Sequence, residues 1–495
     1  MTASCWSSAS SIRSCASRSV DGTTHPLALL TLGPFLSPLV TTEPTPASIT
    51  LAEAARFWAR LGWVSFGGPA GQIALLHGEL VQRRRWLSER RFLHALNYCM
   101  VLPGPEATQL ATYLGWLMHG VPGGLVAGGL FLLPSVLVLL SLASIYALWG
   151  QLPVLTAVFW ALKPAVLAIV LQAAWRLGRR TLHTPLLVAI ALAALLGLAL
   201  AQLPYPVLLA GAALLGFLAA RHRPHWIRPA QAGQTRVSAA GAPAETAAPT
   251  AALPLPALHD DRTPPPPHAR FSRRALALAL LAGGLALGVP LAALGLADSW
   301  NGLLATMARF FSRVALLSFG GAYAVLPYVA RGAVEEFGWL SAAQMVDGLA
   351  LGETTPGPLI MVVAFVGFMG GWHEAGTLAR ALAAGLVVVW FTFLPSFVFI
   401  LAGAPLVEAS REDLRLDGPL TAITAAVVGV ILSLALFFAG PVLLPQGQVD
   451  AGAFALLLAA LALLLGRGWN VLTLIGVSAL VGVLRAGLLA AGLFQ

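Results

Sequence analysis

The stretch that decides the fold runs from Ser65 to Pro105 and reads SFGGPAGQIALLHGELVQRRRWLSERRFLHALNYCMVLPGP. It sets a Gly-Gly-Pro break, a block of arginines and a Pro-Gly-Pro break inside an apolar chain. Its motifs SFGG, WLS and PGP return in the same order, each shifted by 253 positions: from Ser65 to Ser318, from Trp86 to Trp339 and from Pro103 to Pro356. The motif LPS also recurs, at Leu133 and Leu394, after an adjustment of eight residues. These recurrences predict two homologous halves.

Composition places the chain in a membrane. Hydrophobic residues make up 58% of the 495 residues and charged residues only 10%, too few to cover the surface of a soluble protein of this size. No Asp, Glu, Lys or Arg lies between Glu106 and Lys163, and further uncharged runs cover 181–220, 275–297 and 418–449. Each run can hold one or more spans of about 20 residues. The runs are rich in Leu, Ala and Gly and lack the alternation of a transmembrane barrel, so the predicted fold class is an all-α polytopic membrane protein.

The remaining composition argues against other classes of function. The net charge of +9 comes mainly from arginines in short loops beside the apolar runs, where they report membrane orientation rather than nucleic-acid binding. The cysteines, Cys5, Cys15 and Cys99, have no disulfide or metal-ligand spacing, and the histidines are scattered. Without clustered acids, bases or metal ligands, the sequence predicts no metal, no cofactor and no enzyme activity.

The chain divides into five parts. Residues 1–48 are rich in Ser and Thr and are expected to form a disordered N-terminal tail; a weak signal peptide and a start codon placed too early are alternatives. The first repeat is assigned to 49–221. A linker rich in Ala, Pro, Thr and Arg covers 222–270 and is expected to be disordered. A linking transmembrane helix is predicted over 271–298, and the second repeat over 299–495.

Two features predict that the second half is inverted relative to the first. The linking helix has no counterpart before the first repeat, and an odd number of inserted spans turns the following repeat over. The loop 82–85 holds three arginines, whereas the equivalent loop of the second half holds Glu335 and Glu336. Because arginine-rich loops stay in the cytoplasm, the first loop and the linker are predicted to be cytoplasmic. The alternative is a pair of parallel repeats whose loop charges have drifted.

The paired breaks predict broken or re-entrant helices at matching positions, which is typical of secondary transporters whose site lies between two halves. Proline cannot continue a helix but is accepted in the first turn of a new one. Helices are therefore predicted to end near Leu102 and begin near Pro105, and likewise around Pro356–Pro358. Up to four helix N-termini, each with about half a positive charge, would then meet near the midplane and suit a dianion. Turns at the membrane surface are the alternative interpretation.

Two ionisable residues lie inside the apolar segments. Lys163 is the only lysine in the chain; it either extends to the interface or, as we prefer, pairs with an anion or with Glu106. Glu106 directly follows Pro105, where it either stabilises a helix start or competes with a bound anion and exchanges a proton during transport. Neutral donors such as Gln109 and Thr355 could hold oxyanion oxygens, or could join helices by hydrogen bonds.

Together these motifs resemble a known family. The segments SFGGPAGQIALLHGELVQRRRWLSE, LPGPEATQLATYLGWLMHGVPGGLVAGGLFLLPS, SFGGAYAVLPYV and GETTPGPLIMVVAFVGF are similar to those of the chromate ion transporter family in its long, two-domain form. The resemblance covers about 52–220 and the region from 301 to the C-terminus. It implies a bacterial inner-membrane carrier that exports chromate from the cytoplasm, driven by the membrane potential or an ion gradient, with chromate resistance as the outcome. One position departs from the family pattern, since Gln72 stands where a histidine is expected.

The motifs carried over by position, with the ionisable residues, give the predicted substrate-binding set. Its members are Ser65, Gly67, Gly68, Pro103, Gly104, Pro105, Glu106, Gln109 and Lys163 in the first half and Ser318, Gly320, Gly321, Thr355, Pro356, Gly357 and Pro358 in the second. The expected partners are chromate or a similar oxyanion, a coupling ion for which the proton is one candidate, the lipid bilayer, and a second copy of the chain in a homodimer. Transport of sulfate or another tetrahedral oxyanion is the alternative function; an ion channel is disfavoured by the inverted repeat.

Overall fold

Helices form nearly all the regular structure of the chain. The computed structural model describes residues 49–222, 226, 257–260, 263, 266–319, 321–409 and 417–491. Within these residues the secondary structure is helical except for one isolated bridge between Leu87 and His259. The predicted all-α fold class is confirmed. The predicted tail, 1–48, and most of the predicted linker lie outside the described residues.

The first half contains seven α-helices among its described residues. In chain order they are α1 (Leu51–Val64), α2 (Gly68–His77), α3 (Glu89–Val101), α4 (Glu106–Trp149), α5 (Pro153–Thr181), α6 (Pro185–Ala199) and α7 (Tyr205–His222). A π-helical turn, Gly78–Arg83, extends α2. His119 and Gly120 leave helical geometry and divide α4 into two arms.

A linking helix and eight further helices follow. They are α8 (Arg273–Asp298), α9 (Leu303–Leu317), α10 (Ala322–Arg331), α11 (Ala342–Thr354), α12 (Val362–Ala375), α13 (Leu378–Ala409), α14 (Asp417–Leu443), α15 (Ala451–Leu461) and α16 (Val471–Ala490). The π-helical turns Gly332–Glu336 and Ala462–Gly466 extend α10 and α15, and the 3-10 turn Leu359–Met361 precedes α12.

The two halves repeat the same order of elements. α1, α2 and α3 correspond to α9, α10 and α11, and the bounds of α3 and α11 are offset by the same interval as the sequence motifs. A π-helical turn follows both α2 and α10. The two arms of α4 correspond to α12 and α13, which are separate helices because the chain turns at Gly376, where φ is +64°. α5, α6 and α7 correspond to α14, α15 and α16, and α8 has no counterpart.

Seven of the described helices are long and apolar enough, by length and composition, to cross a membrane: α4, α5, α7, α8, α13, α14 and α16. The chain is a multi-pass membrane protein. α8 packs against α9 and α13, and Gly283 and Gly295 are its only buried residues. A helix that is apolar all round and exposed at the edge of a bundle is suited to contact with lipid.

Contacts at the two ends of α6 show which loops lie together. At its start, the Thr184 hydroxyl donates to the Trp226 carbonyl at 2.8 Å, next to the beginning of the linker. At its other end, Arg331 donates to the Leu198 carbonyl at 2.9 Å, and the acidic loop 335–336 lies beside it. α6 has 15 residues and is about 22 Å long. The beginning of the linker and the acidic loop therefore lie at opposite ends of this helix.

The end of the linker lies against the arginine loop of the first half. The backbone N–H groups of Leu258 and His259 donate to carbonyls of that loop at 3.0 Å, and the Ser88 N–H donates back to the His259 carbonyl at 3.2 Å. We call the described residues 257–260, 263 and 266–270 the linker clasp. These main-chain hydrogen bonds hold the clasp in place, and the disorder expected over 222–270 stays a prediction.

The clasp also reaches the kink between the two arms of α4. The His268 Nε2 atom lies 2.9 Å from the Trp116 carbonyl oxygen, and the two rings pack edge to face with centroids 5.5 Å apart. Ala269 is buried in the core that α1, α3 and the first arm of α4 share. The clasp thus contacts both the arginine loop and α4 beside its kink.

Candidate functional site

Two hydrogen bonds tie the breaks of each half to the other half. The Gly104 N–H donates to the Ser318 carbonyl at 2.8 Å, and the Gly357 N–H donates to the Ser65 carbonyl at 2.6 Å. Ser65 and Ser318 are the C-terminal caps of α1 and α9. Each bond therefore satisfies a carbonyl at a helix end, where intrahelical partners run out. Since the two bonds join equivalent residues of the repeat, the contact between the halves is reciprocal.

Both glycines are required by space and by backbone geometry. The φ angle is +133° at Gly104 and +107° at Gly357, a region that side chains avoid. A Cβ atom at Gly104 would overlap the Ser396 hydroxyl and the Gln109 amide, and one at Gly357 would overlap Ser135. We call Gly104, Gln109, Ser318 and Ser396 corner A, and Gly357, Ser65 and Ser135 corner B. Ser135 and Ser396 are themselves equivalent in the repeat, so the two corners are built alike.

Polar atoms without a partner are concentrated at these corners. Among the described residues, twelve buried side-chain N or O atoms make no hydrogen bond. Seven of them lie in the two corners or one or two turns into the helices that begin there: Ser65 Oγ, Gln72 Oε1, Thr108 Oγ1, Gln109 Oε1, Ser135 Oγ, Ser318 Oγ and Ser396 Oγ. All seven residues are at most 2% exposed. Because an unpaired buried polar atom costs about 1–3 kcal/mol, this concentration marks a place for water or a polar ligand.

The chemistry of these atoms favours an oxyanion. Five of the seven are hydroxyls, which can donate to the oxygens of a ligand. The other two are amide oxygens; the Gln109 Nε2 atom donates to the Pro103 carbonyl at 2.7 Å, and the Gln72 Nε2 atom reaches the Ser65 carbonyl at 3.4 Å. The amide NH2 groups therefore bond the backbone at the breaks, and the hydroxyls are left without a partner.

The helices that begin at the breaks have no side-chain caps. No side chain accepts a hydrogen bond from the first N–H groups of α2, α4, α10 or the 3-10 turn before α12. Of the helices that begin elsewhere, α5 and α9 also lack a cap, but seven carry one, supplied by Thr50, Ser88, Thr184, Ser272, Ser341, Asp450 and Asn470. The break helices thus keep their free N–H groups and the positive ends of their dipoles available to an anion.

Glu106 is the first residue of α4 and faces the start of α10. A methyl group placed on Gly321 would lie 3.9 Å from Glu106 Oε1, so the carboxyl group reaches from one half to the other. An ionised Glu106 occupies the region that an anion would use, and two negative charges at such distances repel strongly. Gly320, also predicted for the site, lies outside the described residues.

A second carboxyl group lies near the end of α11. The Tyr323 hydroxyl, in the first turn of α10, donates to Glu353 Oε1 at 2.5 Å. Two residues later, the Thr355 hydroxyl donates to the Gly352 carbonyl at 2.9 Å. Thr355 is thus satisfied within its own turn, unlike the serines of the corners.

Lys163 lies away from the corners. Its Nζ atom is 3.5 Å from Asp347 Oδ1, and the Tyr146 hydroxyl donates to Asp347 Oδ2 at 2.9 Å. Tyr146 follows Ser135 by eleven residues on the second arm of α4, which places the ion pair about 16 Å along that helix from corner B. The predicted pairing of Lys163 with Glu106 is wrong, because Asp347 is the carboxylate that the packing of α5 against α11 brings to it.

The two halves contribute unequally to the polar site. At four positions the first half has a polar residue where the equivalent position of the second half has an apolar one: Gln72 and Val325, Glu106 and Leu359, Thr108 and Met361, Gln109 and Val362. The serines and the glycines of the corners, by contrast, occur in both halves. The repeat therefore supplies a symmetric frame, and the first half adds most of the polar side chains.

Sequence reasoning missed several of these residues. Ser135 and Ser396 belong to the recurring LPS motif, which was the signal that could have identified them. Asp347 and Tyr146 carry no such signal, since their partners come from the other half, and Tyr323 bonds to Glu353, thirty residues away in its own half. Contact with a substrate stays a prediction for every residue of the predicted set. The members not described above form the breaks themselves: Gly67, Gly68, Pro103, Pro105, Pro356 and Pro358.

Comparison with known proteins identifies the family. The family model described as Chromate transporter matches residues 52–217 and 305–483, which is most of each half and more than half of the chain. The chain belongs to the chromate transporter family. The matched regions leave out the linker and α8, the two parts that have no counterpart in the repeat.

Relatives of this chromate transporter family member carry names that agree with the match. It is 32% identical over 393 residues to the Chromate transport protein of Pseudomonas aeruginosa, covering 79% of this chain and 82% of that protein. It is 28% identical over 424 residues to the Chromate transport protein of Cupriavidus metallidurans, covering 85% and 89%. It is 27% identical over 384 residues to the Probable chromate transport protein of Synechococcus elongatus, covering 77% and 83%. No solved structure matches the chain.

Proposed function

We propose that this protein is a secondary active transporter that exports chromate from the cytoplasm across the bacterial inner membrane. The observation that carries the proposal is the set of unpaired, buried hydroxyls at two reciprocal corners, beside helix N-termini that lack side-chain caps. Membership of the chromate transporter family supplies the substrate class.

Chromate suits such a site because it is a tetrahedral dianion. Its four oxygens accept hydrogen bonds from the serine hydroxyls that both halves supply. Four helix N-termini provide about two positive charges in all, which balance the substrate without a fixed cation. Neutral donors and helix dipoles bind an anion reversibly, as a carrier requires. Chromate resistance follows from the removal of chromate from the cytoplasm.

In this proposal the two halves are inverted, and the linker is cytoplasmic. The clasp lies against the arginine loop of the first half, and the beginning of the linker lies at the end of α6 opposite to the acidic loop. The linker sequence between these points has no apolar run of about 20 residues, so both of its ends belong to one face of the membrane. The arginine loop and the acidic loop then lie on opposite faces, which supports inversion. A tag within 230–250 should react with a membrane-impermeant reagent only from the cytoplasm.

A basic cavity supports entry of the anion from the linker side. Arg176, Arg179 and Arg180 line a cavity of about 480 Å³ at the end of α5, and none of them forms an ion pair with another described residue. The neighbouring Thr184 contacts Trp226 at the beginning of the linker. Clustered positive charge at a mouth raises the local concentration of an anion.

The membrane potential alone can drive this export. Moving one charge across 100 mV is worth about 2.3 kcal/mol, so a dianion gains about 4.6 kcal/mol when it leaves a negative interior. That energy sustains a gradient of about 10³-fold, since each 1.4 kcal/mol is tenfold. A coupling ion is therefore not required as an energy source.

Uptake of labelled chromate and labelled sulfate into everted vesicles tests the function. The protein should take up chromate with saturation, and the uptake should depend on a lumen-positive potential. If sulfate is carried equally well and competes, the alternative function as a general tetrahedral-oxyanion transporter holds. Unsaturable flux that shows no counter-transport would instead indicate a channel.

A matched pair of variants tests the site. Ser135→Ala removes a buried, unpaired hydroxyl of corner B, whereas Ser141→Ala removes an exposed hydroxyl of α4 that bonds the Leu137 carbonyl. A hydrogen bond to a charged group is worth about 1.5–3 kcal/mol, so Ser135→Ala should raise the KM for chromate by about 10- to 150-fold. Ser141→Ala should leave KM unchanged. Equal KM values in both variants would remove Ser135 from the site.

A further inference from the structure

The ion pair between Lys163 and Asp347 joins the two halves of the protein. Lys163 lies on α5 of the first half and Asp347 on α11 of the second, and Tyr146 on α4 donates to the same carboxylate. The Lys163 side chain is 23% exposed and that of Asp347 6%. Asp347 Oδ1 makes no hydrogen bond with a described residue. The pair is thus mostly buried, its two charged groups are 3.5 Å apart, and its formation depends on the relative position of the two halves.

The pair lies between the corners and the face opposite the linker. α11 begins shortly after the acidic loop 335–336, and Asp347 is in its second turn. Tyr146 is one turn from the end of α4 at Trp149, whereas Ser135 of corner B lies about 16 Å further back along that helix. An anion that leaves the corners toward this face must pass the level of the pair.

The charged side chains of α12 and α16, which also pack against α11, have partners of their own, and Asp347 interacts with Lys163 and Tyr146. Lys163 and Tyr146 are the titratable side chains that act on it. On α12, His373 Nδ1 lies 2.8 Å from the Trp339 carbonyl oxygen and Glu374 pairs with Arg380. On α16, Arg485 lies over the Trp160 ring at 3.6 Å. α14 has a single titratable residue, at its first position, and Glu353 on α11 itself is bonded to Tyr323.

The repeat contains this pair only once. The positions equivalent to Lys163 and Asp347 hold Thr424 and His94. The linker side therefore has no matching lysine and aspartate, and the pair distinguishes one face of the pathway from the other.

We infer that the Lys163–Asp347 pair is the gate of the pathway on the face opposite the linker, and that Asp347 binds a proton while the gate is open. The inference rests on the proposed export function. When the halves part here, the departing dianion becomes the partner of Lys163. Asp347 takes a proton from the solution on that face, so no charge is left unpaired inside the membrane. When the anion has left, Asp347 returns the proton to the same solution and the pair closes; the proton does not cross the membrane.

Through Asp347, export should therefore respond to pH on that face. In everted vesicles that face is the lumen, and chromate uptake should fall as luminal pH rises, by up to about tenfold per unit, the limit for one proton. Asp347→Asn cannot ionise and should remain active with a flat luminal pH profile. The matched control is Asp298→Asn, which removes a carboxylate bonded to Arg380 at the end of α8 and should keep the wild-type profile.

Two results would overturn the inference. One is a wild-type luminal pH profile in Asp347→Asn. The other is an inactive Asp347→Asn whose export and wild-type pH profile return in Lys163→Met/Asp347→Asn, because the pair would then be a structural contact only. If Asp347→Asn does not fold, Tyr146→Phe replaces it: loss of the hydroxyl that stabilises the carboxylate should raise the pH midpoint by about one unit. Tyr113→Phe is its control: Tyr113 lies on the other arm of α4, and the variant loses the hydrogen bond from its hydroxyl to Glu408 of α13. Equal pH midpoints in the two variants would contradict the gate.

A measurement without chromate separates this inference from the proposed function. Infrared difference spectra of the purified protein in nanodiscs, recorded across a pH titration, should show the carbonyl stretch of a protonated carboxyl group that Asp347→Asn lacks. If wild-type vesicles move no chromate but this band is present, the export function fails and the proton site remains. If export works and the band is unaffected by Asp347→Asn, the gate inference fails and the function remains.

Discussion

Substitution of Gly104 by alanine is the sharpest test of the reciprocal contact between the halves. Gly104 donates its N–H to the Ser318 carbonyl at 2.8 Å from a backbone with φ at +133°. An added Cβ atom would overlap the Ser396 hydroxyl and the Gln109 amide. The substitution therefore strains the backbone and crowds corner A at once, without removing any polar atom.

The magnitude follows from these two effects. A non-glycine residue in such a backbone region costs about 1–3 kcal/mol. Crowding of a well-packed site by one carbon costs about 1–3 kcal/mol more. Their sum, about 2–6 kcal/mol, lowers the population of the reciprocal contact by about 30-fold or more, since 1.4 kcal/mol is tenfold. Because corner A is buried between the halves, we expect loss of export well before loss of folded protein.

The assay is chromate uptake into everted vesicles, normalised to folded protein measured by fluorescence-detected size exclusion. Gly104→Ala should reduce uptake by at least about 30-fold, by the same sum of strain and crowding. Gly129→Ala on α4 is the matched control, since a Cβ there meets nothing within 4 Å. Wild-type uptake by Gly104→Ala would refute the reasoning, because it would show that the contact is not needed in any step of transport.

The remaining predictions concern protons and the clasp. Glu106→Gln should lower the KM for chromate at neutral pH and flatten its dependence on cytoplasmic pH, because the ionised side chain competes with the anion; an unaltered profile would leave Glu106 a structural residue. Burial, with the Arg91 charge beside it, lowers the pKa of His259 to about 4 in the docked clasp, with His268 and His119 adding to the effect and Glu408 opposing it. Docking is therefore favoured above the free value of about 6.5 and weakens as pH falls below it, by about tenfold at pH 5.5. Hydrogen exchange at Leu258, corrected for the intrinsic effect of pH, should speed up accordingly, and His259→Gln should remove that response.

Much of the fold follows from the sequence because each half of the repeat tests the elements predicted for the other half. The constant offset between the two copies of SFGG, WLS and PGP anticipated α3 and α11, whose bounds are offset by that same interval. Proline and glycine at Pro103–Pro105 are sufficient to end one helix and begin another, whatever surrounds them. Long uncharged runs likewise identify membrane-length helices without knowledge of their neighbours.

The site itself could be predicted only in part, because its contacts connect residues that are distant in sequence. Nothing near Lys163 indicates Asp347, which lies in the other half and was not singled out by its own surroundings. The clasp escaped prediction for a similar reason: 257–270 resembles the rest of the linker in composition, and only its pairing with the arginine loop distinguishes it. Ser135 could have been found, since its motif recurs, but the recurrence alone does not show that its hydroxyl is buried and unpaired.

A symmetric frame that carries asymmetric charges has a consequence for the direction of transport. In the proposed inverted arrangement, two identical halves would make the states open to either face equal in free energy. The Lys163–Asp347 pair occurs on one face only, so it stabilises the state that is closed there and open toward the linker. A bias of about 1.4 kcal/mol already makes that state tenfold more populated. In the proposed cycle the empty carrier is open mainly to the cytoplasmic side, where the basic cavity of α5 attracts the anion, and the departing dianion separates the pair by becoming the partner of Lys163. If the halves are inverted as proposed, the symmetry of the backbone makes both states possible, and the single ion pair determines which of them is more populated.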